Sequence, residues 1–255
     1  MNRVATAVAL IASLILAGCG NDPSAAYQGW IEADLIFVSP DETGRIETLS
    51  VREGDRVDAR APLFTLDDEL QRAEVAEREA TLQNAQAAYN RAVALAKANA
   101  GTLKSLEDAE AAMRTAQARL NSSQTRLARR KVVSPAEGTV QQLYFRVGEI
   151  VPAGRPILAL LPPGNMKVRF FVGEAMLPKL ALGDVINVQC DGCAGDLTAK
   201  ISFIARTAEY TPPVIYSMEE RNKLVFLIEA RPDQPERLRV GQPVSVTLAA
   251  PDAAR

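Results

Sequence analysis

The chain has 255 residues, 47% of them hydrophobic and 5% aromatic, and carries a formal net charge of −2. This balance gives no general basic surface for nucleic acid, and the absence of histidine removes the commonest general base and a leading metal ligand. The sequence also lacks a Gly-x4-Gly-Lys-Ser/Thr loop for ATP phosphates. We therefore expect no enzymatic activity, no cofactor and no metal site.

The N-terminal residues have the pattern of an export signal. A charged start at Met1-Asn2-Arg3 is followed by an apolar run over 4–16 and by Leu16-Ala17-Gly18-Cys19, which matches the bacterial lipobox. The apolar run is too short for a secure transmembrane helix. We predict a lipoprotein signal peptide over 1–18, lipidation at Cys19, and an anchor segment with one strand over 19–37. An uncleaved anchor or an ordinary secretory peptide would also export the chain.

An internal repeat follows, and its two copies are separated by an insertion. The copies cover 38–68 and 132–161, and both consist of short apolar segments interrupted by glycine and proline. The matching residues keep one constant offset: Gly44/Gly138, Leu49/Leu143, Gly54/Gly148, Val57/Val151 and Pro62/Pro156. Two such copies predict the two halves of one small β-sandwich.

The insertion over 69–131 is predicted to form two helices. It contains no proline and one glycine, Gly101, and is rich in strong helix formers. Leucine or methionine recurs every seven residues in its second half, which is typical of a coiled-coil seam: Leu106, Met113, Leu120 and Leu127, with Ala109, Ala116 and Ser123 between them. The first half suggests a seam of small residues: Ala73, Ala76, Ala80, Ala87 and Ala94, beside Val75, Leu82, Tyr89 and Val93.

The ends of the two helices also have sequence signals. Asp68 and Gln71 predict a capping box for the first helix, and the stretch ending in Gly101-Thr102 predicts a break followed by a new N-cap. Arg129-Arg130-Lys131 would complement the negative end of the second helix. Because both ends of the insertion return to the sandwich, we predict an antiparallel helical hairpin.

A second β-domain is predicted over 165–249. The stretches 166–172, 185–189, 197–203, 224–230 and 244–248 are rich in β-branched and aromatic residues, with a short helix over 174–182. Trp30 is expected in the core of a terminal strand of the barrel. Cys190-Asp191-Gly192-Cys193 could be redox-active, half of a zinc site, a structural disulfide or two reduced thiols. Its Asp-Gly turn favours a cross-strand disulfide between Cys190 and Cys193, or reduced thiols at a hairpin.

The fold class is therefore α+β and mainly β. A lipoyl-like barrel-sandwich hybrid is split by an antiparallel coiled-coil hairpin and followed by a small β-barrel. The lipobox, the split half-motifs and the hairpin together resemble the HlyD-like periplasmic adaptors, also called membrane fusion proteins. This resemblance implies an adaptor that links an inner-membrane transporter to a TolC-type outer-membrane channel. It also implies that copies of the chain assemble as a hexameric ring. The lipid anchor is expected in the inner membrane of the cell or, as an alternative, in the outer membrane.

The resemblance extends to the predicted tip of the hairpin. Adaptors that dock on TolC-type channels commonly carry Arg, then Leu four residues later, then Ser seven residues after that; here Arg91, Leu95 and Thr102 keep the spacing. Threonine in place of serine retains the hydroxyl group. Arg91 would donate hydrogen bonds to the channel, Leu95 would pack, and Thr102 would cap the second helix or bond across the contact. Alternatively, the three are an ordinary surface residue, a seam residue and an N-cap.

Two features bear on the transporter. The chain stops soon after the predicted barrel, whereas adaptors of resistance-nodulation-division transporters usually add a membrane-proximal domain. The stretch Ala208-Glu209-Tyr210-Thr211-Pro212-Pro213-Val214-Ile215-Tyr216-Ser217 also looks like the branch associated with ABC transporters. An ABC transporter is therefore the expected partner.

Two other functions are alternatives to the adaptor. A biotin or lipoyl carrier needs a modified lysine on the turn that joins the two half-motifs, and 38–68 and 132–161 contain no lysine. A structural coiled-coil lipoprotein of the envelope would bind no transporter subunits.

Overall fold

The computed structural model describes residues 26–193, 197–210 and 224–248. They form two compact units: one is Leu35–Pro163, and the other combines the segments on either side of it. The α-helices and strands in chain order are β1 Tyr27–Ala33, β2 Ile36–Val38, β3 Gly44–Leu49, β4 Arg56–Val57, β5 Pro62–Leu66, α1 Glu69–Lys97, α2 Leu103–Ala128, β6 Lys131–Val133, β7 Gly138–Leu143, β8 Ile150–Val151, β9 Leu158–Leu161, β10 Met166–Gly173, β11 Val185–Gln189, β12 Leu197–Ile204, β13 Glu209–Tyr210, β14 Leu224–Pro232 and β15 Pro243–Leu248. Neither α-helix of the described part is long and apolar enough to cross a membrane.

The repeat folds into a sandwich of two four-stranded sheets, with strand orders β2-β9-β7-β4 and β6-β5-β3-β8. Each copy completes the sheet of the other, because β3 pairs with β8 and β4 pairs with β7. The core between the sheets takes its apolar side chains from both copies: Val38, Ile46, Val51, Val57, Leu63, Phe64, Leu66, Val140, Val151, Ile157, Leu158 and Leu160. The predicted sandwich of two half-motifs is thus confirmed.

One turn in each copy shows why the register is so regular. Gly54 and Gly148 have φ values of +91° and +92°, a conformation that side-chain-bearing residues rarely adopt. Their backbone N–H groups donate across the sandwich to Val140 O and Ile46 O, both at 2.8 Å. The two halves are therefore bonded to each other reciprocally at these turns.

The two α-helices form the antiparallel hairpin. All seven predicted seam residues of α2 are buried or half-buried, and Leu120 is only 6% exposed. In α1 the prediction was half wrong. The chosen alanines are exposed: Ala73, Ala76, Ala80, Ala87 and Ala94. The half-buried face of α1 instead combines the predicted Val75, Leu82, Tyr89 and Val93 with other alanines: Ala85, Ala88, Ala92 and Ala96.

The predicted capping box at the start of α1 is also wrong. Asp68 makes no side-chain cap hydrogen bond within the described chain. Its carboxylate is paired instead with Arg72 one turn later, at 2.7 Å from Nε. The neighbouring Asp67 side chain accepts from the N–H of Glu69 at 3.2 Å. An acidic side chain therefore still accepts a hydrogen bond from a backbone N–H at the helix N-terminus, but this side chain is Asp67, one position earlier than predicted.

The other unit is a closed barrel with a seven-stranded sheet. Its strand order is β10-β1-β15-β11-β12-β14-β13, and the pairing of β10 with β14 closes the ring. The five predicted strand stretches correspond to β10, β11, β12, β14 and β15. The predicted short helix is a 3-10 turn, Glu174–Lys179.

The barrel also includes β1, which the sequence placed with the anchor segment. Strand β1 lies between β10 and β15. Its core residue is Ile31, which is fully buried, whereas Trp30 is half-buried on the other face, 5.9 Å from the ring of Phe171. The prediction of Trp30 as a core residue is therefore wrong by one position, because side chains alternate along a strand.

Candidate docking site at the hairpin tip

The three residues of the predicted docking motif lie in the last two turns of α1 and at the N-cap of α2. Arg91 and Leu95 are four residues apart on α1, so they lie on the same face one turn apart. Arg91 is exposed, and Leu95 is 51% exposed although it is apolar. Within the described ranges, Arg91 has no hydrogen-bond or ion-pair partner. Its guanidinium group is therefore available for a partner outside this unit.

The turn between the helices is tightly specified. At the end of α1, Ala100 N donates to Leu95 O at 2.9 Å and Asn99 N donates to Ala96 O at 3.1 Å. With Asn99 at φ +53°, these two bonds form a Schellman motif. A Cβ atom on Gly101 would lie 3.1 Å from Leu95 Cβ, so glycine allows the returning chain to pass close to Leu95.

Thr102 starts the second helix. Its Oγ1 accepts a hydrogen bond from Ser105 N at 3.1 Å, and its own carbonyl accepts from Ser105 Oγ at 2.8 Å. The predicted N-cap is therefore confirmed. Because the Oγ1 atom is used in this cap, Thr102 contributes to the tip mainly by fixing the path of the turn.

Two further properties of the tip were missed by the sequence reasoning. Leu103 is 71% exposed, and it lies outside the seven-residue series that begins at Leu106. The chain also has no acidic residue between Glu79 and Glu107, although that stretch contains Arg91, Lys97 and Lys104. The tip therefore combines two exposed leucines with basic residues on both helices. A leucine outside the seven-residue series was the sequence signal that could have revealed the exposed Leu103.

The other predicted site residues lie elsewhere. Cys19 is outside the described residues. Cys190 and Cys193 are joined as a disulfide with their Cα atoms 5.4 Å apart. They are not a cross-strand pair, because they lie on a tight turn in the loop between β11 and β12, with Cys193 N donating to Cys190 O at 3.1 Å. The oxidation state in the cell stays a prediction.

We also searched the described part of the chain for a metal-binding site and for a ligand cavity. It contains no group of three or more His, Cys, Asp or Glu side chains able to hold a metal ion. The cavity next to the disulfide, about 500 Å³, is open and is lined in part by Gln28, Gln189 and Ser245. In contrast, the tip exposes the apolar side chains of Leu95 and Leu103.

Comparison with known proteins agrees with this architecture. No protein-family model matches the chain. A UPF0194 membrane protein of Acidithiobacillus ferridurans is 26% identical, covering 96% of each chain. A UPF0194 membrane protein of Yersinia enterocolitica is 25% identical over 98% of this chain and 100% of its own. The chain is thus similar over nearly its whole length to UPF0194 membrane proteins.

Comparison with solved structures identifies the fold. The membrane fusion protein Spr0693 of Streptococcus pneumoniae R6 superimposes with a TM-score of 0.68 at 18% identity, over 90% of this chain and 100% of that one. A MacA-MexA chimeric protein containing the Pseudomonas aeruginosa MexA α-hairpin domain gives a TM-score of 0.72 at 20% identity, over 88% of this chain and 82% of that one. The chain has the fold of a membrane fusion protein. The expected architecture, in which a split lipoyl-like sandwich carries a helical hairpin, is therefore confirmed.

Proposed function

We propose that this protein is a periplasmic adaptor, without enzymatic activity, that connects an inner-membrane transporter to a TolC-type outer-membrane channel. The observation that carries the proposal is the hairpin tip. It carries the exposed Arg91 and the exposed leucines Leu95 and Leu103, and it ends a helix of 29 residues that extends about 43 Å. An apolar contact surrounded by basic groups suits a channel end that offers carboxylates and backbone carbonyl groups.

The adaptor role also requires copies of the chain to assemble, and the repeat gives independent support for this. At three equivalent positions the first copy has Ser50, Glu53 and Arg56, whereas the second has Tyr144, Val147 and Ile150. The three apolar side chains are 41%, 57% and 59% exposed. Because both copies form the same turn, the fold does not require apolar residues there.

Those exposed apolar residues therefore suit a contact with another chain. We assign this surface, defined by Tyr144, Val147 and Ile150, to the contact between neighbouring copies in a ring. A head-to-tail contact of this kind closes into a ring when the rotation between copies allows it. The family resemblance favours a hexamer.

The remaining parts of the proposal concern the two membranes. A lipid on Cys19 would anchor the adaptor to the inner membrane, which is consistent with the relatives being named membrane proteins. An ABC transporter is the favoured partner because of the resemblance over 208–217, most of which lies outside the described residues. A resistance-nodulation-division transporter is the alternative.

Affinity purification from the native membrane tests the proposal. The wild-type protein should bring down a permease or ATPase together with an outer-membrane channel, and mass spectrometry would identify the transporter class. Recovery of the adaptor without any transporter or channel would favour a structural envelope lipoprotein. Intact mass of the same sample would reveal any biotinyl or lipoyl group and so would test the carrier alternative.

A further inference from the structure

Two charged side chains are buried where the hairpin joins the sandwich. Asp68 and Arg130 are each 7% exposed. Asp68 is paired within its own helix, with Arg72. Arg130, in contrast, reaches a separate segment: its Nη1 donates to Thr43 O and its Nη2 to a carboxylate oxygen of Glu42, both at 3.1 Å. Arg130 therefore ties the end of the second helix to the loop that precedes β3.

The loop is shaped to accept this arginine. A Cβ atom at position 44 would lie 2.5 Å from Arg130 Nη1, so only glycine leaves room for the guanidinium group. The equivalent Gly138 of the second copy is tight against a backbone oxygen instead, 2.7 Å from Leu161 O. The Val-Ser-Pro-x-Glu pattern of the first copy recurs at 133–137 one residue closer to its glycine, so the acid Glu137 directly precedes Gly138. Only the first copy thus has space beside its glycine for the guanidinium group of Arg130.

Burial distinguishes Arg130 from the other arginines at this junction. Arg126 and Arg129 also approach Glu42 and Asp41, at 4.0 and 3.4 Å, but their side chains are 54% and 60% exposed. Such exposed pairs contribute little because water and salt screen them. The side chain of Arg130 is 8% exposed, so its charge-assisted bonds are the strong ones.

Stability alone does not explain a buried arginine. Its Nε atom is buried without a hydrogen-bond partner among the described residues, which is a cost. A buried ion pair is often no more stabilising than well-packed apolar residues, and its best-attested use is to impose one arrangement of the parts that it joins.

The arrangement that Arg130 can impose is the orientation of the hairpin relative to the sandwich. The chain crosses between them twice, after Leu66 and before Lys131, and the two crossings are bonded together, with Leu66 N donating to Arg130 O at 2.8 Å. Two adjacent crossings leave a hinge between a long hairpin and its base. The contact of Arg130 with Glu42 and Thr43 adds a third attachment from a different segment of the chain.

We infer that Arg130 is a positioning residue that fixes the tilt of the hairpin on the sandwich and thereby the location of the tip. The leverage is large, because a rotation of about 10° at the base moves the end of a helix about 43 Å long by about 7 Å. The consequence for docking rests on the proposed adaptor function, whereas the fixed tilt itself does not.

Distances between spin labels on the hairpin and on the sandwich test this inference. Labels attached through Ala94→Cys and Asp58→Cys, both at exposed positions, report the tilt in the lipidated protein with Cys190→Ser and Cys193→Ser. The unmodified junction should give one narrow distance distribution. Arg130→Met should raise the population of other tilts by about 10- to 100-fold, the effect of losing a hydrogen bond to a charged group. Arg130→Lys, which retains the charge without the fork, should give an intermediate width.

Matched variants make the result decisive. Arg129→Met, which removes an exposed neighbour, should leave the distribution narrow. Glu42→Ala removes the partner from the other side and should broaden it even if Arg130→Met fails to fold. A distribution as narrow as that of the wild type in folded Arg130→Met or in Glu42→Ala would overturn the inference. If tip variants leave export unchanged while Arg130→Met broadens the distribution, the docking proposal fails and the fixed tilt stands.

Discussion

Arg91→Asp inverts one charge at the tip and should weaken docking without destabilising the fold. Arg91 is exposed and lacks a partner within the described ranges, so Arg91→Asp should change the free energy of unfolding by no more than about 0.5 kcal/mol. In the docked complex, the same change removes a forked donor and adds a carboxylate, and truncating one partner of a buried charge pair costs about 2–5 kcal/mol. At about 1.4 kcal/mol per tenfold change, affinity for the channel should fall by about 30-fold or more.

The contribution of the apolar part of the tip to the docking free energy can also be estimated. Leu95 is 51% exposed, so docking can bury about half of its side chain. Full burial of a leucine contributes about 1.5–3 kcal/mol, which leaves about 1 kcal/mol for the exposed half. Leu95→Ala should therefore weaken docking by about fivefold. Leu95→Asp should weaken it further, because it also places a carboxylate in the contact.

The assay is co-purification of the channel together with export or drug tolerance in cells. Arg119→Asp is the matched control, since it makes the same charge change on α2 at an exposed position about 25 Å along the helix from Thr102. Circular dichroism should be unchanged in all variants, and melting should be unchanged in Arg91→Asp and Arg119→Asp. If Arg91→Asp and Leu95→Asp retain wild-type channel recovery and export, the tip assignment is wrong and the spacing of the triplet is accidental.

Three other changes test separate parts of the account. Thr102→Ala should destabilise the hairpin by about 1 kcal/mol in thermal melts because an N-cap is lost, whereas Thr102→Ser should be nearly silent; equal melting of the two would contradict the cap. Cys19→Ser should abolish palmitate labelling and weaken membrane association while the folded units stay intact, and an unlabelled wild type would end the lipoprotein prediction. Val147→Glu with Ile150→Arg installs the residues that the first copy already carries in the same turn, so melting should be unchanged while cross-linking between copies in cells is lost; intact cross-linking would exclude this surface from the ring contact.

Local periodicity made much of the architecture predictable. The repeat at a constant offset specified the sandwich, since Gly54 and Gly148 make matching bonds across it. The heptads specified the seam of α2, since one large residue per seven leaves a single register. The seam of α1 was only partly predictable, because alanines occur on several faces of that helix and small residues fit more than one register.

Long-range contacts were not predictable from the sequence. The sequence predicts a barrel strand at Trp30, but not that this strand pairs with β10 and β15, which are far away along the chain. Arg130 was interpreted as one of several basic residues at a helix end, yet its partner Glu42 lies 88 residues earlier. At the tip, the family spacing predicts a docking role for Arg91, Leu95 and Thr102, whereas the exposure of Leu103 is evident only from the structure.

Photo-cross-linking from the tip in living cells tests the central claim most directly. A photoreactive amino acid at Leu95 should capture an outer-membrane channel of the TolC type, identified by mass spectrometry, and the same amino acid at Arg119 should not capture it. Capture should fall when Arg91→Asp is added. A tip that captures no channel during active export, or a channel captured equally from Arg119, would contradict the adaptor model.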